Sequence, residues 1–145
     1  MFFGQYCHSL DSKKRLTIPS RFRDELKDGA YVVEGLDGNL NVFTAVVFEK
    51  IYQKISALTL TDESVRDLRR KFFGNAGYLE IDTDGRILIP EYLRETAGIQ
   101  NEVVVTGAGS YFEIWSPEAW EQRLARLHDP EANKERFATL DIPTL

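Results

Sequence analysis

The stretch "LDSKKRLTIPSRFRDEL" at residues 10–26 returns at residues 81–97 as "IDTDGRILIPEYLRETA". At an offset of 71, Asp11 aligns with Asp82, Arg15 with Arg86, Ile18 with Ile89, Pro19 with Pro90 and Arg23 with Arg94. Upstream, "FFGQ" at 2–5 matches "FFGN" at 72–75 at an offset of 70. Downstream, Val33, Gly35, Val42, Phe43 and Phe48 match Val105, Gly107, Ile114, Trp115 and Trp120 at an offset of 72. Surface loops absorb single-residue slips of this kind. A chain that repeats itself over most of its length has to be read as two copies of one unit before any element is named.

Each copy has the same local grammar. A leading segment (Gln5 to Leu10; Gly77 to Ile81) and a short apolar strand (Arg15 to Ile18; Arg86 to Ile89) flank a charged turn, which predicts a β-hairpin. Pro19 and Pro90 then open short helices, where a missing N–H costs little, and Gly29 and Gly98 stop them. Tyr31 to Val33 and Val103 to Val105 are β-rich, and turn back through "LDGN" and "GAGS" into Leu40 to Phe43 and Phe112 to Trp115. Asp37-Gly38 is a hairpin dipeptide. Thr44 and Ser116 are good N-caps for the amphipathic helices that follow, with Phe48, Ile51, Tyr52 and Ile55 on one apolar face and Trp120, Leu124 and Leu127 on the other. Between the copies, "TDESVRDLRRKFFG" places acids in its first turn and Arg69, Arg70 and Lys71 in its last, as a helix dipole prefers.

One copy of about 45 residues is too small to bury an adequate core. Two copies packed together form one pseudo-twofold body, mainly β with short helices (α+β), with the charged turns as symmetry-related projections. The expected division is a first module at 5–50, a helical linker at 51–75, a second module at 76–120 and a polar tail at 121–145, with a short helix after Pro130.

The chain has 145 residues, one cysteine and a net charge of −5. A single cysteine forms no internal disulfide, in keeping with a reducing cytoplasm. No apolar run reaches a membrane span, and the first residues lack a secretory pattern. The charge is polarised: residues 11–23 carry Lys13, Lys14, Arg15, Arg21 and Arg23 against Asp11 alone, whereas the chain from Asp82 onward is net acidic. Any polyanion must therefore meet a local patch rather than the whole surface. Enzyme readings find little support. Cys7 and His8 are adjacent and point to opposite faces of a strand, one cysteine and two histidines make a poor zinc set, and no phosphate-cradle or nucleophile-elbow motif occurs. No cofactor, metal or small-molecule substrate is expected.

The paired D-x-x-x-R turns, each running into "[LI]-x-I-P", together with "MFFGQYCHSLDSKKRL" and "FFGNAGYLEIDTDGRILIP", closely resemble the MraZ family of bacterial transcriptional regulators. The resemblance implies two tandem SpoVT-AbrB/MazE-like modules of the swapped-hairpin type, forming a double-split β-barrel. It also implies a ring-like homo-oligomer in the cytoplasm, associated with the nucleoid. Such a ring would bind repeated double-stranded promoter boxes upstream of a division and cell-wall gene cluster as a repressor, with the D-x-x-x-R turns contacting DNA. Two departures stand out. Lys14 occupies the position where the family has glycine, which Gly85 keeps, and Asp84 stands opposite Lys13.

The DNA-binding candidates are therefore Lys13, Lys14, Arg15 and Arg86. Arginine offers a planar fork to a guanine edge or phosphate, and lysine a less directional contact. Asp11 and Asp82 support the turns. Arg21, Arg23 and Arg94, on the short helices, are additional candidates. The plainer reading of one such motif is a salt-bridged corner; the duplication and the cationic run favour a contact surface. The competing function is an antitoxin-like or protein-interaction module built on the same fold, with aromatic residues such as Tyr111, Phe112, Trp115 and Trp120 as a contact face.

Overall fold

A computed structural model of the chain describes residues 1–143. The first copy runs β1 (Gln5–Ser9), β2 (Arg15–Thr17), α1 (Ser20–Arg23), β3 (Ala30–Glu34), β4 (Leu40–Thr44) and α2 (Ala45–Ser56). After α3 (Glu63–Arg69) and one wide helical turn at Arg70–Gly74, the second copy runs β5 (Gly77–Leu79), β6 (Arg86–Leu88), α4 (Glu91–Thr96), β7 (Glu102–Gly107), β8 (Tyr111–Trp115) and α5 (Pro117–Leu127). A final helix, α6 (Pro130–Phe137), follows Asp129, whose carboxylate caps it. The tail expectation also covers residues 144 and 145, which lie outside the described residues.

The strands pair antiparallel in a six-stranded sheet of order β1-β7-β8-β4-β3-β5 and a separate two-stranded ribbon, β2-β6. In the sheet Asn41 faces Glu113, and in the ribbon Leu16 faces Ile87. Each of these is a residue opposite its own repeat counterpart, so one pseudo-twofold axis passes through both. The leading strands are exchanged: β1 lies on β7 with Cys7 opposite Val104, and β5 lies on β3 with Gly77 opposite Val32. The halves therefore complete one another's sheet.

Exchange corrects the simple hairpin expectation. The turn closes locally, with the Asp11 N–H donating to the Arg15 carbonyl (3.0 Å), but β1 then departs to β7 and β2 to β6. The expected barrel is corrected as well: the six-stranded sheet is open, ending at β1 and β5, and is not hydrogen-bonded to the ribbon into a closed wall. Pro19 and Pro90 sit one place earlier than expected, at the extended N-cap positions of α1 and α4 rather than in their first turns.

The ribbon is held by its inward face. Leu16, Ile18 and Phe22 and their counterparts Ile87, Ile89 and Leu93 are each at most 1% exposed, in one cluster with Val32, Val42, Val105 and Ile114. Burying each such side chain contributes about 1.5–3 kcal/mol. Because side chains alternate along a strand, this inward packing of Leu16 and Ile87 turns Arg15, Thr17, Arg86 and Leu88 outward.

The outer face of the sheet is roofed by the helices. Phe48 of α2 stacks on Tyr31 (4.1 Å between ring centres) and on Phe72 (5.6 Å), while Trp120 of α5 packs on Trp115 (5.5 Å). Thr44 and Ser116 cap these helices as expected, accepting from the Val47 and Ala119 amides. The symmetry fails at the "FFG" repeats. Phe2 is buried against Phe22, its backbone paired with Gly109 of the β7–β8 turn, whereas Phe72 and Phe73 close a helix. Among the described residues no helix is long and apolar enough to cross a membrane.

Candidate nucleic-acid interface

Both charged turns have the same geometry. The Lys14 N–H donates to the Asp11 carbonyl (2.9 Å) and the Gly85 N–H to the Asp82 carbonyl (3.0 Å). Lys14 and Gly85 stand at φ +62° and +76°, the left-handed residue that ends a three-residue hairpin loop. The aspartate is the internal frame of each turn. Asp11 Oδ1 accepts from the amides of Lys13 (2.9 Å) and Arg15 (2.8 Å), and Asp82 Oδ1 from those of Asp84 and Arg86 (both 2.9 Å). The second carboxylate oxygen takes the arginine Nε, at 2.7 Å for Arg15 and 2.9 Å for Arg86. Accepting the arginine's backbone amide is the leading reason that both carboxyls are held below their ordinary pKa, with the guanidinium side chain adding to it. The aspartates thus orient the arginines through Nε, leaving the end nitrogens of the half-buried Arg15 without a carboxylate partner among the described residues, whereas those of Arg86 meet further acids.

The ribbon brings the two turns to one face. Arg15 lies opposite Leu88 and Arg86 opposite Thr17, so the two arginines are diagonal neighbours. The Arg86 guanidinium reaches to 3.9 Å from Asp11 of the other turn. Leu88, 57% exposed, lies between these polar groups.

The turns differ in how their cations are engaged. Arg15 has one carboxylate partner, Asp11. Arg86 has Asp82, Asp84 (3.0 Å) and the more distant Asp11. Lys13 is exposed, and its ammonium makes no hydrogen bond or ion pair among the described residues. Lys14 is turned away: its ammonium donates to Asn101 Oδ1 (2.7 Å) and to the Gln100 carbonyl (3.4 Å). Asn101 and Gln100 escaped sequence reasoning because they are 87 and 86 positions away from Lys14, in the loop between α4 and β7.

The three additional candidates have separate situations. Arg21 is exposed on α1. Arg23 donates through Nε to the Ile18 carbonyl (2.9 Å), and its guanidinium lies over Gly85, where a Cβ would collide with it. Gly85 in turn accepts from the Ile18 amide (2.8 Å), lengthening the ribbon at that end. Among the described residues the corresponding bond from Ile89 to Lys14 is absent, and the Nε of Arg94, the counterpart of Arg23, is buried without a partner. A Cβ at position 14 accounts for the lost arginine contact, because at the other end glycine leaves that space to the Arg23 guanidinium. Of the linker cations, Lys71 pairs with Glu34 (2.8 Å), Arg70 with Asp67 (2.9 Å), and Arg69 lies over the Phe73 ring.

The aromatic residues of the competing reading are mostly internal. Phe112 and Trp115 are buried and Trp120 is 9% exposed. The half-buried Tyr111 packs on Phe43 (5.2 Å), and burial pushes its hydroxyl pKa up.

Known proteins match this architecture in both halves. The family model described as "MraZ protein, putative antitoxin-like" matches residues 1–71 and again 72–141. A "Transcriptional regulator MraZ" of Roseiflexus castenholzii is 41% identical over 138 residues, 95% of this chain and 94% of that protein. Proteins of the same name from Herpetosiphon aurantiacus and Carboxydothermus hydrogenoformans are 43% identical over 129 residues and 45% over 120. The first alignment spans 89% of this chain and 90% of the relative, the second 83% and 84%. Two tandem matches and relatives aligned over most of their length establish that the chain belongs to the MraZ family.

Proposed function

We propose that the chain is a DNA-binding transcriptional regulator that reads duplex DNA with the outward face of the β2-β6 ribbon and its two turns. One observation carries this reading. The fold gathers Arg15 and Arg86, from segments 71 residues apart, onto one exposed face and holds each in place by an aspartate of its own turn. A two-stranded ribbon is a shape that the major groove admits, and arginine is the side chain that most often reads guanine there. Arg15 and Lys13 make the leading contacts, Arg86 a weaker one, and the exposed Arg21 an additional phosphate contact. Arg23 braces the ribbon through Ile18 and Gly85 rather than touching DNA, and Arg94 makes no such bond among the described residues. The exchanged strands β1 and β5 support reading each half as an AbrB-like swapped hairpin.

The finer expectations follow from the same face. One ribbon is small, so useful affinity requires several copies on one assembly engaging spaced boxes together, as a ring-like homo-oligomer would. The target is the DNA upstream of the protein's own gene, within a division and cell-wall cluster, and the expected outcome is repression in the cytoplasm. Footprinting on that upstream segment tests the reading. Protection of evenly spaced boxes by the native protein, abolished by Arg15→Ala while the circular dichroism spectrum is retained, supports it. Protection that survives the substitution refutes the assigned face. A small dimer that ignores this DNA and captures one protein partner returns the antitoxin-like alternative.

A further inference from the structure

We infer that Asn101 is a positioning residue for DNA recognition, and that Lys14 acts as its tether rather than as a phosphate contact. The inference rests on the DNA-binding reading above and deepens it. Lys14 is a non-glycine residue in the left-handed region at φ +62°, a conformation unfavourable for an L-residue because its Cβ crowds the following carbonyl. Such strain persists only where surroundings over-determine it. Here the surroundings are the Gln100-Asn101 corner, which grips the turn at both ends. The Asn101 carbonyl accepts from the Leu10 amide (2.7 Å), just before the turn, and Asn101 Oδ1 with the Gln100 carbonyl accepts the Lys14 ammonium beyond it.

The second turn shows what the brace replaces. By the strand pairing, the residue equivalent to Asn101 is Asp28: continuing the registers, Leu10 stands opposite Asn101 and its counterpart Ile81 opposite Asp28. Gly85 has no side chain for Asp28 to receive, and Asp28 makes no hydrogen bond to that turn among the described residues. The backbone bond from Ile81 to Asp28, which would match that from Leu10 to Asn101, is also absent among the described residues. Gly85 adopts the same backbone without strain, so that turn has no need of a tether. The brace spans both copies: the turn belongs to the first, and the corner that holds it lies between α4 and β7 of the second. It fixes the carbonyl-to-amide frame from which Lys13 and Arg15 project.

The test uses the full-length protein and a fluorescent duplex from the upstream segment, with amide hydrogen exchange read in the absence of DNA. Asn101→Ala is expected to speed exchange at Lys13 to Arg15 and weaken DNA binding about fivefold, the factor corresponding to roughly 1 kcal/mol. Asn101→Asp, which can still accept the ammonium, is expected to keep both properties. Lys14→Gly removes the strain with the tether, so it is expected to leave affinity within about twofold and to restore binding in the Asn101→Ala background. Unchanged exchange in Asn101→Ala overturns the brace. Lys14→Gly that weakens binding and lowers the salt slope by about one overturns it too, because that is the mark of a phosphate contact. Arg15→Ala is the control for the underlying reading. If it binds DNA normally, the DNA face is misassigned, while the exchange data still decide the brace.

Discussion

The turns Asp11 to Arg15 and Asp82 to Arg86 share a backbone and differ in what surrounds it. Their aspartates accept the same set of hydrogen bonds, and their arginines meet at diagonal positions of one ribbon. Yet the first carries Lys13 free and Lys14 tethered, while the second neutralises Arg86 with Asp84 and relaxes its backbone with Gly85. Duplication preserved the frame that makes an arginine project, and substitution at two positions divided the labour. The first turn is the more cationic, and its strain is held by a brace. The second is unstrained and more nearly charge-balanced.

If the body is as symmetric as its pairing implies, the largest effects should fall equally on both copies. Leu16→Ala and Ile87→Ala each empty a fully buried site beside the axis, and each should lower unfolding free energy by about 2–5 kcal/mol in a urea titration. Clearly unequal losses would mean that one half carries the core. Asymmetry should instead appear at the turns. Gly85→Lys imposes the strain of the first turn with no Asn101 to relieve it and displaces Arg23 from Ile18. A loss of about 2 kcal/mol is expected in the same titration. Gly85→Lys without cost would show that the brace is dispensable.

Charge supplies a smaller lever. Asp84→Asn releases one hold on Arg86 and removes a negative group from the proposed DNA face, so affinity should rise by about threefold, with a steeper salt dependence. An unchanged affinity would place Arg86 off the DNA. The smallest effect is on acid sensitivity, and it should be shared by both turns. Asp11 and Asp82 have folded-state pKa values below their unfolded ones. The stability they contribute is therefore present above the ordinary carboxylate range and is lost as pH falls through the lowered values. Asp11→Asn and Asp82→Asn should each flatten the acid limb of a melting-temperature profile by a similar, small amount. A one-sided effect would show that only one aspartate frames its turn.

Much of this was legible in the sequence, because its signals are local or repeated. The offset match predicts two copies, Thr44 and Ser116 announce the starts of α2 and α5, and Asp37-Gly38 announces the β3–β4 turn. The exchange of β1 and β5 was not legible from the residues themselves: a charged turn between two strands has the same pattern whether the strands pair with each other or with the opposite copy. The different fates of Phe2 and Phe72 were hidden for a similar reason. Identical tripeptides took their conformations from tertiary partners, a hairpin turn in one case and a preceding helix in the other. Within the site, Asp11, Arg15, Asp82 and Arg86 declare themselves by spacing. Asn101 gives no local signal, because its only relation to Lys14 is across the fold.

The central claim is that one frame presents two arginines of unequal weight. It is tested most directly by titrating the upstream duplex with Arg15→Ala and Arg86→Ala in parallel, across a range of salt. The account predicts that Arg15→Ala costs about 1–3 kcal/mol of binding, that Arg86→Ala costs clearly less, and that both variants remain folded. Equal losses, or a greater loss at Arg86, would contradict it.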